Sequence, residues 1–277
     1  MAKVEYELMT PDEIVEARLV PVAFAPVSPL EWHGPHLPFG TDGLHAHEVA
    51  VRVAREVGGV VLPTLFLGTE TVRLPGRGAE QLGALGLDDG DRVVGMDFPG
   101  FPAKSLYVEE SAFGIAVREV VRLLAADSFR LVVLVNGHGA ANHQATLERI
   151  AREESRPPGL RVLNLKVWVP PAPPRTDPGH ADREETAIML AIMGDHVRLD
   201  ALPPEPAPLR YREHGIVDGA GFDGEPNADF TVPRASDPRA ATREEGDELL
   251  AREVETAAAT VRSELERLGV PFPAAAR

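Results

Sequence analysis

The sequence has no cysteine among its 277 residues, and this absence removes several kinds of site at once. Disulfides, thiolate zinc sites and a cysteine nucleophile are all excluded. Any metal must therefore be held by imidazole and carboxylate groups, which suit zinc, manganese and iron. Long apolar runs are missing too, since none approaches the roughly 18 residues of a membrane span. The N-terminal segment lacks the basic-then-apolar pattern of a secretion signal, so the sequence predicts a cytoplasmic protein.

Positive charge is scarce. The chain has 28 lysine and arginine residues against 43 aspartate and glutamate residues, a formal charge of −15. Such a surface repels phosphate backbones, and no basic cluster compensates for it, which argues against nucleic-acid binding. We therefore expect a small-molecule substrate, and neither a nucleic acid nor a membrane as partner.

The composition is that of a globular protein. Apolar residues make up 44% and charged residues 26%, which is enough material for a sizeable core. With 26 prolines and 25 glycines, many turns and structured loops are expected. No linker is clear enough to divide the chain, so we predict a single α/β domain over residues 1–277.

Short apolar runs alternate with amphipathic segments along the chain. Strands are predicted at 19–27, 60–62, 130–135 and 160–169, and helices at 45–57, 109–126, 141–154, 184–193 and 242–268. The run RLVVLV at 130–135 is apolar on both faces, which is typical of a central parallel strand covered by helices. The fold class predicted is α/β: a three-layer α/β/α sandwich with a mostly parallel central sheet. Segments 66–108, 170–180 and 203–238 are predicted to be irregular.

The first motif reads Glu31-Trp-His33-Gly-Pro-His36-Leu-Pro-Phe-Gly-Thr-Asp42. Its prolines prevent a helix, and in an extended stretch residues i and i+2 share a face, so Glu31 and His33 can approach a common centre. Asp42 directly precedes a predicted helix, where its two oxygens can bridge two metals. Two plainer interpretations stay open. Asp42 is also a good helix N-cap, and Glu31 and His33 can be ordinary loop residues.

The second motif, Asn136-Gly137-His138-Gly139, follows the RLVVLV strand. In open α/β sheets ligand groups collect beyond the carboxyl ends of strands, which is where His138 is expected. The alternative is that Asn-Gly only makes a strand-to-helix turn. His143, inside the next helix, is predicted to pack or to face solvent rather than to act as a ligand.

The third motif begins at His180 and continues through Asp182 and Glu185 into an apolar helix. The spacing of the two acidic residues also fits a capping-box-like helix start, which explains them without any chemistry. His180 lies just outside this helix, in a suitable place for a proton carrier.

Together the three motifs bring imidazoles and carboxylates from three separate places in the chain, a combination typical of a divalent metal site. Neither a Gly-x-Ser-x-Gly elbow nor a phosphate-binding Gly-x-x-x-x-Gly-Lys loop is present. With no evident nucleophile in the chain, metal-activated water is the expected attacking group.

In this order and with these residues, the motifs resemble the creatininase (creatinine amidohydrolase) family over roughly residues 20–260. The resemblance implies an α/β/α fold, two divalent metal ions (zinc, manganese or iron) and a homohexameric assembly. It further implies metal-assisted hydrolysis of cyclic or small non-peptide amides.

Carried over by position, the resemblance implies metal-ligand and catalytic roles for individual residues. The implied metal ligands are Glu31, His33, Asp42 as the bridging residue, His138 and Glu185, and the implied catalytic residues are His180, as proton carrier, and Glu185. One position departs from the pattern. Ala140 stands where creatininases proper have a glutamate two residues after the second-motif histidine, which weakens creatinine as the substrate and favours Glu185 as a ligand.

We therefore predict a metal-dependent hydrolase in which metal-activated water cleaves a small cyclic or non-peptide amide. Two alternatives stay open. One is a carbon–carbon hydrolase that opens a cyclic ketone such as a dehydro-inosose. The other is a catalytically silent family member that binds metal.

Overall fold

The computed structural model describes residues 3–73, 93–97, 100–168, 179–217 and 231–272. The strands are β1 (Val22–Val27), β2 (Val60–Val61), β3 (Val72–Arg73), β4 (Val93–Val94), β5 (Leu131–Asn136) and β6 (Arg161–Lys166). The α-helices are α1 (Pro11–Ala17), α2 (Thr41–Val57), α3 (Glu110–Ala126), α4 (Ala141–Glu154), α5 (Arg183–Met193), α6 (Tyr211–His214) and α7 (Arg243–Arg267).

Four strands form a parallel sheet in the order β2-β1-β5-β6. Strand β1 pairs with β5 along its whole length, from Val22 opposite Leu131 to Val27 opposite Asn136. The carboxyl ends of the two central strands therefore lie side by side. The segments that follow them, which carry the first and second motifs, start from the same edge of the sheet.

Helices cover both faces of this sheet. Alternate residues of β1 point to opposite sides, so that Val22 and Phe24 pack with α2 and α7 while Ala23 and Ala25 pack with α3 and α4. Helix α7 also packs against α5. The predicted three-layer α/β/α sandwich with a parallel central sheet is confirmed. The single domain over 1–277 stays a prediction.

Several local features differ from the sequence-based prediction. Strand β1 begins at Val22 rather than at residue 19, β6 ends at Lys166 rather than at residue 169, and the short helix α6 lies in a segment predicted to be irregular.

Helix α1 was not predicted, although Thr10 and Glu13 form a capping box at its start. Helix α2 begins at Thr41 rather than at His45, which places Asp42 inside its first turn. Within the segment predicted to be irregular, β3 and β4 pair antiparallel.

The segments predicted to be irregular fall partly on residues that the structure does not describe. Most of the Pro-rich segment 170–180 and part of 203–238 lie outside the described residues. Within the described part of the chain, no helix combines the length and apolar character needed to cross a membrane.

Candidate metal centre

The first and second motifs meet where β1 and β5 end. Glu31 and His33 follow β1, His138 follows β5, and Asp42 lies in the first turn of α2. Gly137 allows this approach, because a Cβ at that position would lie 2.2 Å from the Asp42 carbonyl oxygen. These four of the five predicted ligands are buried, with at most 4% of each residue exposed, whereas the fifth, Glu185, is half-buried.

Asp42 stands between two histidines. Its Oδ1 lies 2.9 Å from His33 Nε2, and its Oδ2 lies 3.1 Å from His138 Nδ1. The N-cap of α2 is Gly40, so the interpretation of Asp42 as an N-cap is wrong. A carboxylate that directs each oxygen to a different imidazole has the arrangement expected of a ligand shared by two cations.

Glu31 divides its two oxygens in a similar way. Oε2 lies 2.9 Å from His138 Nδ1, and Oε1 accepts a hydrogen bond of 2.7 Å from the Tyr107 hydroxyl. The backbone carbonyl of the same residue accepts from His33 Nδ1 at 3.1 Å, which leaves Nε2 of that ring facing Asp42. A ring N–H donated to a backbone carbonyl is a common way of orienting a metal-binding histidine.

The third motif reaches the same place from the first turn of α5, which carries Glu185, and from His180 just before that helix. The rings of His180 and His33 have their centroids 4.5 Å apart, and His180 Nε2 donates to the Trp32 carbonyl at 2.7 Å. Glu185 Oε2 lies 3.8 Å from His33 Nε2. The same oxygen accepts a 2.6 Å hydrogen bond from the backbone N–H of Ala181, whose φ of 52° is unusual for a non-glycine residue.

Asp182 does cap α5, since its Oδ1 accepts from the backbone N–H groups of Glu184 and Glu185 at 2.9 and 3.2 Å. The capping interpretation therefore accounts for Asp182. It does not account for the side chain of Glu185. This side chain accepts a hydrogen bond from the backbone N–H of Ala181, the residue before the N-cap, and it faces the histidine cluster.

Two participants were missed by sequence reasoning. Tyr107 holds one oxygen of Glu31, and Glu70 Oε2 lies 3.6 Å from His138 Nε2. Both come from the segment predicted to be irregular, where nothing in the local pattern marks them. His143 is fully buried and stacks on Phe113 with centroids 4.5 Å apart, in agreement with its predicted packing role.

The residues present fit divalent cations. Three groups have all their ligating atoms within 4.8 Å of one another: Glu31, Asp42 and His138; His33, Asp42 and Glu185; and Glu31, His33 and His180. Among the described residues, neither lysine nor arginine forms an ion pair with these carboxylates. Buried carboxylates require a compensating charge, and mixed nitrogen and oxygen donors suit zinc, manganese or iron. His138 Nε2 is also enclosed without a hydrogen-bond partner among the described groups.

When no cation is bound, protons on His33 and Glu185 compensate part of the negative charge of the carboxylates. Burial lowers the pKa of His33, but Asp42 and Glu185 outweigh it and raise that pKa to about 10. Burial raises the pKa of Glu185 to about 8, with Asp42 adding to the effect and His33 opposing it. For His180, burial and the neighbouring His33 lower the pKa to about 4, which keeps the ring neutral near pH 7. Metal binding to such a set releases protons from its histidines.

The cluster opens into a cavity of about 330 Å³, a volume typical of small-molecule sites. Of the six residues predicted for the site, five line this cavity: Glu31, Asp42, His138, His180 and Glu185. The sixth, His33, is wholly buried behind them. Apolar surface comes from Trp168, Ile188 and Leu249, and the last of these lies on α7.

Comparison with known proteins gives consistent matches over nearly the whole chain. A sequence model of the creatininase family (creatinine amidohydrolase) matches residues 7–261. The chain is 31% identical over 254 residues to the mycofactocin precursor peptide peptidase of Mycolicibacterium smegmatis, covering 85% of this chain and 82% of that protein. It is 28% identical over 260 residues to the creatinine amidohydrolase of Pseudomonas putida, covering 88% and 89%.

Solved structures agree with the sequence comparison. A mutant creatininase of Type II superposes with a TM-score of 0.62 at 26% identity, covering 95% of this chain and 99% of that one. Similar folds include a manganese creatininase and a mutant creatininase of Zn–Zn type.

Proposed function

This chain belongs to the creatininase family, and we propose that it hydrolyses a small cyclic or non-peptide amide with two divalent metal ions. It is a metal-dependent hydrolase of the amidohydrolase type. The observation that carries the proposal is the position of Asp42, whose two oxygens face His33 and His138 from the first turn of a helix. The names of the two relatives, a creatinine amidohydrolase and a peptide peptidase, both denote cleavage of a carbon–nitrogen bond.

The ligand set divides into two halves around Asp42. Glu31 and His138 would hold one cation with Asp42, and His33 and Glu185 would hold the other, in agreement with the two of the three close groups that contain Asp42. When bound, divalent cations bring the pKa of water to about 7 and polarise the carbonyl under attack. The side chains of the protein supply the remaining steps.

His180 is the proposed proton carrier. Its Nε2–H is held by the Trp32 carbonyl, so the lone pair lies on Nδ1 of a ring that is neutral near pH 7 and lines the cavity. Nδ1 accepts the proton that the attacking water loses, and then donates it to the leaving amide nitrogen. Burial of the ring keeps this proton from exchanging freely with solvent.

Hydrolysis is tested by elemental analysis of the purified protein combined with a substrate screen. We expect two divalent cations per chain and turnover of at least one member of a panel of hydantoins, lactams and small acyl amides. The panel includes creatinine and cyclic ketones. Turnover of ketones alone would show that the enzyme cleaves a carbon–carbon bond and not an amide. Bound metal without any turnover would point to a catalytically silent member. Protein without metal would contradict the proposal.

Glu185 provides a test of the second half of the centre. We expect Glu185→Gln to lower the metal content from about two ions per chain to about one, because a neutral amide is a poorer ligand for a divalent cation than a carboxylate. Titration with zinc or manganese, followed by elemental analysis after desalting, measures this content.

The matched control is Glu184→Gln, which removes the neighbouring carboxylate of the same helix turn. It is expected to retain both ions. Equal metal content in the Glu185 and Glu184 variants would show that Glu185 only clamps the backbone of Ala181.

The assembly is a further proposal. We propose a homohexamer, following the family resemblance. Light scattering coupled to size-exclusion chromatography measures the assembly, and a mass other than six times 29.8 kDa would overturn it.

A further inference from the structure

One wall of the cavity is built by α7, which carries none of the predicted metal ligands. Leu249, Arg252 and Glu253 line the cavity, and their i, i+3, i+4 spacing places them on one face of that helix. His45 of α2 lines the cavity beside them. None of these four residues belongs to the ligand set.

Glu253 and His45 are committed to each other. Glu253 Oε2 lies 2.6 Å from His45 Nε2, and both residues are buried, at 5% and 8% exposed. A buried carboxylate needs such a partner. Glu253 thus has an imidazole as its partner, and it forms no ion pair with an arginine among the described residues.

Arg252 differs from the other arginines of α7. Arg243 bonds the Ala191 carbonyl, Arg262 pairs with Glu56, and Arg267 pairs with Glu264. Arg252, which is exposed, has no ion pair and no side-chain hydrogen bond with any of the described residues. Arg152 and Arg234, which lie outside α7, also have no side-chain partner among the described residues, so what distinguishes Arg252 is its place in the lining of the cavity.

The charge of the cavity lining indicates what kind of ligand Arg252 could bind. Seven acidic residues line the cavity, and among the described lining residues Arg252 is the only lysine or arginine. Three of these acids belong to the proposed ligand set and Glu253 pairs with His45, so a carboxylate-bearing molecule in the cavity would find positive charge near the cations and near Arg252. Guanidinium is suited to carboxylates because its planar fork donates two parallel hydrogen bonds.

We propose that Arg252 binds a carboxylate of the substrate, and that the substrate class is therefore small amides that also carry a carboxylate. The inference rests on the proposed function, because the metal centre supplies the second attachment point. Arg252 thereby acts as a specificity-determining residue. It favours carboxylated amides over uncharged ones of the same size.

The proposal is tested with ligands that cannot be hydrolysed. Succinate, glutarate and adipate are titrated calorimetrically into the metal-loaded protein, each against the monocarboxylate of equal length, namely butanoate, pentanoate and hexanoate. One carboxylate can bind the cations while the second reaches Arg252. We expect at least one diacid to bind about tenfold to 100-fold more tightly than its monoacid, the usual range for a charged hydrogen-bonded pair.

The variant Arg252→Met should remove this advantage, while Arg267→Met on the same helix, outside the cavity lining, should keep it. In a parallel kinetic arm, hydantoin-5-acetate should have a lower KM than hydantoin in the unmodified protein, and Arg252→Met should abolish the difference. A diacid advantage that persists in Arg252→Met, or that is missing from the unmodified protein, overturns the inference. The diacids are not hydrolysed, so failure of the proposed amide chemistry would be seen separately, in the metal content and the substrate screen.

Discussion

Replacing Asp42 with alanine is expected to abolish both metal binding and hydrolysis. The two oxygens of this carboxylate face His33 and His138, so its removal would take one proposed ligand from each half of the centre. A metal contributes several kcal/mol to such a reaction, which corresponds to about 10³-fold or more in kcat. Elemental analysis and steady-state kinetics on the strongest substrate of the screen measure the two losses.

Thermal unfolding provides an independent measurement for Asp42→Ala. A cation that binds only the folded state adds about 2.7 kcal/mol at a concentration 100 times its Kd, so chelation should lower the melting temperature of the unmodified protein. The alanine variant should melt at the same temperature with and without chelator. As the matched control, Asp182→Asn removes a carboxylate from the same cavity and keeps a good N-cap. Retention of two cations by Asp42→Ala would contradict the bridging role.

Replacing His180 with glutamine is expected to lower kcat by about 10²- to 10⁴-fold, the usual contribution of a general acid–base group, with the metal content unchanged. Glutamine can still donate to the Trp32 carbonyl, but it cannot accept and return a proton. The pH profile adds a second readout. Since the pKa of His180 is lowered to about 4, the neutral ring is present above that pH and is lost as the pH falls through it. The acidic fall in kcat attributable to this ring should be missing from the variant.

The competing role for His180 is that of a ligand, because its ring also lies within 4.8 Å of the ligating atoms of Glu31 and His33. Loss of one cation per chain from His180→Gln would establish that role and contradict the proton carrier. The control is His196→Gln, an exposed histidine outside the cavity lining, which should change neither kcat nor metal content.

Much of the fold could be predicted from local patterns. The run at 130–135 is apolar on both faces and became the buried central strand β5, and the predicted helix at 141–154 has the bounds of α4. Parallel pairing followed from the strand–helix alternation, which fixes the direction of successive strands. The unpredicted helix α1 buries none of its residues, so no apolar periodicity marked it.

The candidate site was likewise predictable only in part from the sequence. Glu31, His33 and His138 follow strands whose ends were predictable, so their convergence could be expected from the sequence. Tyr107 and Glu70 could not be found, because they reach the cluster only through tertiary contacts of irregular segments. The pairing of His45 with Glu253 joins residues 208 positions apart, a separation at which one sequence carries no signal.

The hydrogen bond from Tyr107 to Glu31 restrains a proposed metal ligand from outside the ligand set. The hydroxyl donates to Oε1, and Oε2, which faces His138, would be the oxygen that binds a cation. Catalytic metal sites differ from closed structural ones in keeping a coordination position for an exchangeable ligand. By holding this carboxylate in one orientation, a phenol outside the ligand set would help Glu31 to offer one oxygen to a cation and would leave room there for solvent or substrate.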